Sequence, residues 1–248
     1  MNVGLVHMVT AYTFLLSPYI SAPRRARTPL SEHTPEPDRF LTAWRGESAR
    51  DRLIETLFKR IAAFAEERLK GERVTGLDHA LRVWGWCRVL GRGEAVDMNV
   101  LRAAALLHDI SIPLSGRRGH HEESARMAER FLREIGFPEE KIEAVCHVIR
   151  THSRFGGPDP ETREAEILYD ADVLDFIGAI GLVRGVARGL DGSGYSGNVS
   201  DAPALFEEMK ETAGTRLHTA RAREIAEDRF RVIDEFIARL KEELEFSK

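Results

Sequence analysis

The chain has 248 residues, of which 43% are hydrophobic and 31% are charged. That length supplies a hydrophobic core for one sizeable domain, and the composition excludes a largely disordered or membrane-embedded protein. The net charge of −4 argues against nucleic acid as a partner, because proteins that bind it carry a basic footprint. The two cysteines, Cys87 and Cys146, are far from any C-x-x-C arrangement, which argues against a thiolate zinc site and fits a cytoplasmic location.

The first part of the chain, residues 1–45, is predicted to be a poorly ordered extension. Residues 1–23 contain no Asp, Glu, Lys or Arg, so a membrane anchor is the alternative, but Pro18 and the lack of a basic n-region argue against it. Residues 21–37 are rich in Pro, Ser, Thr and Arg, as linkers are. The start of the protein is open between Met1 and Met8, and a functional domain is predicted over residues 46–248.

From Glu47 onward the spacing of apolar residues is helical almost everywhere. Helices are predicted around a stripe at Leu53, Leu57, Ile61 and Phe64, then over about 78–90, 96–110, 122–135 and 139–151, around Asp172, and along 233–244. The third has apolar residues nearly all round, so it should be central. Residues 115–121 and 189–200 are predicted to be loops, with Arg117 and Arg118 solvated. No useful strand-like alternation occurs, so the expected fold is an all-α bundle.

The most informative residues are His108 and Asp109, which follow the apolar run from Leu101 to Leu107. A buried carboxylate without compensation costs several kcal/mol, so such a group is normally hydrogen-bonded, ion-paired or bound to a metal. His79 upstream and the acids of segment 170–175 downstream offer further ligands. The set predicts a mixed imidazole and carboxylate site for a divalent metal, with coordination positions left for water and phosphate.

The downstream segment contains three acids, Asp170, Asp172 and Asp175. Asp172 and Asp175 are three residues apart and share a helical face, whereas Asp170 points nearly the opposite way. Asp170 is therefore the weakest candidate ligand. Helix geometry does not separate the other two, because either can bind metal while its neighbour holds a ligand histidine from behind.

The order His79, His108-Asp109, Asp172 resembles the HD-domain superfamily of metal-dependent phosphohydrolases. The strings His79–Trp84, Ala105–Ile110, Asp170–Gly181 and Thr219–Arg229 resemble the branch that includes nucleotide pyrophosphohydrolases, and the likeness covers about residues 53–244. The resemblance implies an HD-domain helical bundle and names Asp172 as the fourth metal ligand. A buried hydrogen-bonded network that fixes helix packing is the alternative explanation of these four residues.

The resemblance implies hydrolysis of a nucleotide or another phosphate ester. Nucleoside triphosphate cleaved to monophosphate and pyrophosphate is the leading substrate, with Mn²⁺ favoured over Mg²⁺, Co²⁺, Fe²⁺, Ni²⁺ and Zn²⁺. Asp109 is expected to orient the attacking water. Arg82, one helical step from His79, is expected either to balance phosphate charge or to form a salt bridge with Asp78 or a neighbouring helix. The sequence leaves homodimer formation open.

Two features qualify the resemblance. Nucleotidase members of the superfamily have a glutamate three residues after the aspartate of the HD pair, and this chain has Ile112 there. Other members use further histidines, and here His120 or His121 and His152 fall in suitable order to contact phosphate or a second ion. His120 matches the spacing better than His121. The alternatives to a nucleotide pyrophosphohydrolase are a phosphatase or phosphodiesterase on nucleotide-like esters, and a catalytically silent module that senses a nucleotide.

Overall fold

The computed structural model describes residues 49–154, 156–192, 194–213 and 216–247, which form helices and connecting turns without a strand. The helices are α1 (Ala49–Arg68), α2 (Leu77–Leu90), α3 (Met98–Leu107), α4 (Ile112–Ser115), α5 (His120–Glu134), α6 (Glu139–Thr151), α7 (Arg163–Phe176), α8 (Gly178–Leu190), α9 (Ala202–Ala213) and α10 (Ala220–Leu244), with a 3-10 turn at Val199–Asp201. The all-α prediction is confirmed. The predicted extension, its alternative as a membrane anchor and the choice between Met1 and Met8 lie outside the described residues. Of the helices described, none has the length and apolar character needed to cross a bilayer.

Helix α3 is the centre of the bundle, as its apolar sequence predicts. Every residue from Val100 to Leu107 is buried, and α3 packs against α1, α2, α5, α6 and α7. Asp97 caps its first turn by accepting hydrogen bonds from the backbone N–H groups of Asn99 and Val100. The helix ends at Leu107, three residues earlier than predicted, because tight turns carry the chain through residues 108–111 into α4. His108 and Asp109 therefore lie at the buried end of the central helix.

The segment that contains Asp172 also differs from the prediction, since a break separates α7 from α8. Ile177 has extended backbone angles and Gly178 has a φ of 74°, a left-handed conformation that favours glycine. Gly181 then approaches the end of α7 so closely that a Cβ on it would lie 2.2 Å from the carbonyl oxygen of Phe176. These glycines let α8 turn back against the end of α7.

The long helix α10 is tied to α7 through Asp170. This buried carboxylate accepts hydrogen bonds from the backbone N–H groups of His218 and Thr219, at 2.9 and 2.7 Å. Thr219 in turn caps α10 through the N–H of Ala222. Asp170 thus anchors a helix, and its carboxylate is directed away from the cluster that contains Asp172.

Candidate metal centre

Two imidazoles and two carboxylates meet at the end of α3. His79 comes from the first turn of α2, and its Nε2 atom lies 3.2 Å from Nε2 of His108. Asp109 Oδ2 is 3.3 Å from Nε2 of His108 and 3.7 Å from Nε2 of His79. On the other side, Asp172 Oδ1 is 3.3 Å from Nε2 of His79. The structure thus brings together the four residues that the sequence singled out.

A second cluster shares the Asp109 carboxylate. Its other oxygen, Oδ1, lies 3.2 Å from Nε2 of His120 and 3.5 Å from Nε2 of His152. Those two Nε2 atoms are 3.1 Å apart. His120 is the first residue of α5, and His152 follows directly after α6. Each oxygen of Asp109 therefore faces one pair of imidazoles, an arrangement with room for one cation on each side.

The remaining ring nitrogens fix the tautomers of these histidines. Nδ1 of three of them faces a backbone carbonyl oxygen, at 2.8 Å for His108 and 2.6 Å for His120 and His152. A carbonyl oxygen only accepts, so Nδ1 carries the hydrogen, and Nε2 of the neutral ring has a free lone pair. Within each pair, two such lone pairs face each other and cannot hydrogen-bond. This donor set fits a divalent cation held by His79, His108, Asp109 and Asp172, and another held by Asp109, His120 and His152.

The charges of the cluster also favour a cation. Burial alone would lower the pKa of His108, but the charge of Asp109 raises it to about 9. Burial would likewise raise the pKa of Asp172, yet its contact with His79 holds that pKa well below its ordinary value. Without a metal, a proton on an imidazole therefore supplies the positive charge that these carboxylates require. Metal binding displaces such protons.

Asp175 supports the cluster from behind. Its Oδ2 atom accepts the Nδ1 hydrogen of His79 at 2.8 Å, which directs Nε2 of that ring into the cluster, 3.3 Å from Oδ1 of Asp172. The same carboxylate accepts hydrogen bonds from Nε and Nη2 of Arg82 and from Nη1 of Arg184. Asp172 and Asp175, which spacing left equivalent, thus lie on opposite sides of the His79 ring.

Arg82 does not lie where a phosphate-binding residue is required. Its guanidinium is held by Asp175 and, through Nη1, by Asp78 at 2.7 Å. It does not line the cavity described below. The expected salt bridge to Asp78 is present, and the geometry favours ion pairing over the phosphate-binding alternative, because Arg82 contacts Asp175, which in turn contacts His79.

The two adjacent histidines of α5 also differ. His120 lies in the cluster, whereas the buried Nδ1 atom of His121 makes no hydrogen bond to any residue that the structure describes, and His121 contacts the edge of the His120 ring. The prediction that either could contact the site therefore holds geometrically for His120 alone. Ile112, at the position where the resemblance would place the glutamate of a nucleotidase, is buried and lines the cavity.

A cavity of about 90 Å³ opens beside the cluster. Its polar lining includes Thr75, Asp109, His120, His152 and Asp172, together with four arginines, Arg117, Arg154, Arg184 and Arg188. Three of these arginines were not singled out from the sequence; Arg117, which was expected to be solvated, is 38% exposed and also lines the cavity. A signal was available, because Arg184 and Arg188 are four residues apart on an otherwise apolar, glycine-rich helix.

Comparison with known proteins agrees with this geometry. A family model described as the HD domain matches residues 76–177, the segment that contains His79, His108-Asp109 and Asp172. Residues 76–177 thus match an HD domain, as the sequence predicted. The chain is similar to a Bacillus subtilis protein named YpgQ, with 29% identity over 174 residues, which cover 67% of this chain and 82% of the relative.

The chain is also similar to solved structures. The structure of Bacillus subtilis YpgQ in complex with ADP has a TM-score of 0.62 and 26% identity, covering 77% of this chain and 96% of that one. A predicted HD superfamily hydrolase from an uncultured Thermotogales bacterium has a TM-score of 0.55 and 27% identity, covering 75% and 92%. With its His and Asp cluster, this HD domain is a metal-dependent phosphohydrolase in the general sense.

Proposed function

We propose that the chain hydrolyses a nucleoside triphosphate to the monophosphate and pyrophosphate with divalent metal, Mn²⁺ being favoured. The observation that carries the proposal is Asp109, whose two oxygens face two imidazole pairs at the wall of a cavity rich in arginine. Such a cavity suits an anionic substrate that reacts beside the cluster. The buried free thiols of Cys87 and Cys146 fit the reducing cytoplasm in which we place this activity.

The roles of the chain's own residues follow from their positions. A divalent ion bound here supplies a Lewis acid that polarises a phosphoryl oxygen and makes water more acidic. His79, His108, Asp109 and Asp172 are the proposed ligands of one ion. Asp109 also faces the cavity, where its carboxylate can orient a water for attack. The apolar side chain of Ile112, which lines the same cavity, cannot take that role.

The nucleotide part of the proposal has two supports. The strings around His79, His108 and Asp172 resemble the branch that includes nucleotide pyrophosphohydrolases. The structure of the related protein YpgQ contains bound ADP, an observation made on that protein. Both supports are analogies, so the products must decide.

The deciding experiment is a product analysis on the Mn²⁺-loaded full chain with nucleoside mono-, di- and triphosphates and cyclic phosphodiesters. We expect pyrophosphate and monophosphate from triphosphates only. Orthophosphate from monophosphates, or a ring-opened product, would replace the proposal with a phosphatase or a phosphodiesterase. Tight nucleotide binding without turnover of any compound would replace it with a sensing module.

The ligand assignment has its own test, which is elemental analysis of purified Asp172→Ala. We expect this variant to lose metal relative to wild type, because it removes the carboxylate facing His79. Asp159→Ala is the control, since Asp159 is exposed and pairs with Arg216 away from the cluster. Full metal content in Asp172→Ala would contradict the assignment.

A further inference from the structure

Four arginines from three parts of the fold surround the cavity beyond the metal cluster. We call Arg117, Arg154, Arg184 and Arg188 the arginine arm. Arg117 precedes α5, Arg154 follows α6, and Arg184 and Arg188 occupy one face of α8. No single helix pattern creates this group, because the tertiary structure brings it together.

Contacts with neighbouring residues hold three of the four arginines of the arm in place. Arg184 is buried and donates hydrogen bonds to the Val74 carbonyl through Nε, at 3.1 Å, and to Asp175 Oδ2 through Nη1, at 2.8 Å. The guanidinium carbons of Arg154 and Arg188 lie 4.2 and 6.0 Å from the ring centroid of Phe176. Such contacts hold planar guanidinium groups in defined orientations.

The cavity lining carries more positive than negative charge, although Arg184 pairs with Asp175 and Arg117 lies 3.9 Å from Oε1 of Glu72. The carboxylates that line it among the described residues are Asp109 and Asp172, and both belong to the metal cluster. Burial lowers the pKa of Arg188, and the charges of Arg117, Arg154 and Arg184 lower it further. Mutual repulsion of this kind costs free energy in the folded protein, and a bound anion relieves that repulsion.

The cavity also contains a buried neutral hydroxyl group. Thr75 is 4% exposed and lines the cavity next to the arm. Its hydroxyl makes no hydrogen bond with any residue in the described part of the chain. A buried hydroxyl normally has a partner, so this one is available to a ligand.

We propose that the arginine arm and Thr75 bind the two phosphoryl groups beyond the one that reacts at the metal cluster. A single phosphate is matched by roughly one or two guanidinium groups through bidentate hydrogen bonds, whereas four match a chain of phosphates. The arm selects substrates with a polyphosphate chain and holds pyrophosphate as the leaving group. This inference rests on the proposed function, because it assigns part of the same substrate.

The test is an equilibrium binding measurement that requires no turnover and no choice of base. The Mn²⁺-loaded full chain is titrated calorimetrically with inorganic tripolyphosphate, supplied as its manganese complex, and with orthophosphate. We expect tripolyphosphate to bind at least about 100-fold more tightly, as two additional charge-assisted contacts require. Equal affinities in the wild type would overturn the proposal.

Variants then locate the preference. Arg188→Ala should reduce the affinity ratio of tripolyphosphate to orthophosphate by about 10-fold, and Arg188→Lys should restore it in part, because lysine returns the charge without the planar fork. Arg126→Ala is the matched control, since Arg126 is exposed and pairs with Glu123 on α5. If Arg188→Ala weakened both ligands equally, the proposal would be wrong.

Two checks separate the possible causes of failure. Helicity and metal content of Arg188→Ala should equal those of the wild type; if this variant does not fold, Arg117→Ala replaces it, because Arg117 lies in a loop and is 38% exposed. An Arg188-dependent preference for tripolyphosphate without pyrophosphate release would support the arm and contradict the proposed reaction. Release of pyrophosphate from triphosphates without that preference would support the reaction and overturn the arm.

Discussion

A single carboxylate, that of Asp175, connects the two parts of the site. It holds the ring of His79, a proposed metal ligand, and the guanidinium of Arg184, which lines the cavity. Burial alone would raise the pKa of Asp175, but its contacts with His79 and Arg82 lower it, so the carboxylate stays charged. The orientation of the metal ligand and that of the arginine arm therefore depend on one charged residue that touches neither metal nor substrate.

We predict that Asp175→Asn lowers metal affinity by about 10- to 100-fold, the loss usual for a residue that orients a ligand. The amide accepts hydrogen bonds with one oxygen only, so it cannot hold the Nδ1 hydrogen of His79 and two guanidinium groups together. Competition with a chelator of known affinity measures the change.

Asp170→Asn is the matched control for that variant. Asp170 is a buried aspartate of the same helix, but its partners are the N–H groups of His218 and Thr219. We expect this variant to alter stability and to leave metal affinity within twofold of the wild type. Equal metal affinities for Asp175→Asn and the wild type would contradict the proposal that Asp175 positions His79.

At the scale of elements, the N-cap of α3 fixes the start of the helix whose other end carries His108 and Asp109. Asp97 accepts hydrogen bonds from two backbone N–H groups and forms an ion pair with Lys141 on α6, in which Oδ2 lies 2.6 Å from Nζ. Burial alone would raise the pKa of Asp97, but the hydrogen bond of Lys141 and the backbone N–H groups lower it. The charged form of Asp97 therefore stabilises the folded state.

We predict that Asp97→Ala lowers the free energy of unfolding by about 1 kcal/mol at pH 7, as loss of an N-cap does. Because the folded pKa lies below the unfolded value of about 3.9, the contribution is complete above that value and is lost as pH falls through the folded pKa. Urea unfolding of both proteins from pH 7 to pH 3 measures the difference. A difference that grew in acid would contradict the assignment.

The junction of α7 and α8 places Arg184 and Arg188 beside the cluster. A Cβ at residue 181 would meet the Phe176 carbonyl oxygen at 2.2 Å, and this backbone atom cannot rotate away as a flexible side chain can. We predict that Gly181→Ala lowers the free energy of unfolding by about 1–3 kcal/mol, as overpacking does. Equilibrium urea unfolding measures the loss.

Gly85→Ala provides the comparison for Gly181→Ala. Gly85 lies inside α2, and a Cβ there would meet no atom within 4 Å. Alanine should therefore stabilise the protein by roughly 0.5–1 kcal/mol, since a helical glycine loses more backbone entropy on folding. Equal effects of the two substitutions would show that Gly181 is not needed for close approach.

At the scale of the whole molecule, the cluster joins segments that are far apart in sequence. Its side chains come from α2, from the turn after α3, from the start of α5, from the residue after α6 and from α7. An ion bound by several of these segments binds the folded chain only, because the unfolded chain does not hold the ligands together.

We predict that metal binding raises Tm in a concentration-dependent way. At a hundredfold excess over its Kd, each ion contributes about 2.7 kcal/mol, a rise of roughly 5–11 °C for a domain of this size. Calorimetric scans with and without chelator measure the rise, and elemental analysis should give two ions per chain. A Tm that did not change with metal would contradict this linkage.

Much of this fold follows from local patterns in the sequence. The periodicity from Leu53 to Phe64 and the apolar run before His108 predict helices that are present, and the ordered set of His79, His108-Asp109 and Asp172 meets at one point. The break after Phe176 was missed because it depends on how closely α8 approaches the end of α7, which helical periodicity does not report.

The sequence by itself determined most of the helices, the central place of α3 and the kinds of atoms that would surround a cation, because these depend on residue type and local spacing. Only the tertiary structure decided which long-range partners meet. His79 and Asp175 are separated by 96 positions, yet their side chains form a hydrogen bond. Arg82 binds the same carboxylate and does not line the cavity, whereas Arg184 does. An arginine binds whichever carboxylate packing places within reach, and spacing along one helix cannot specify a partner on another.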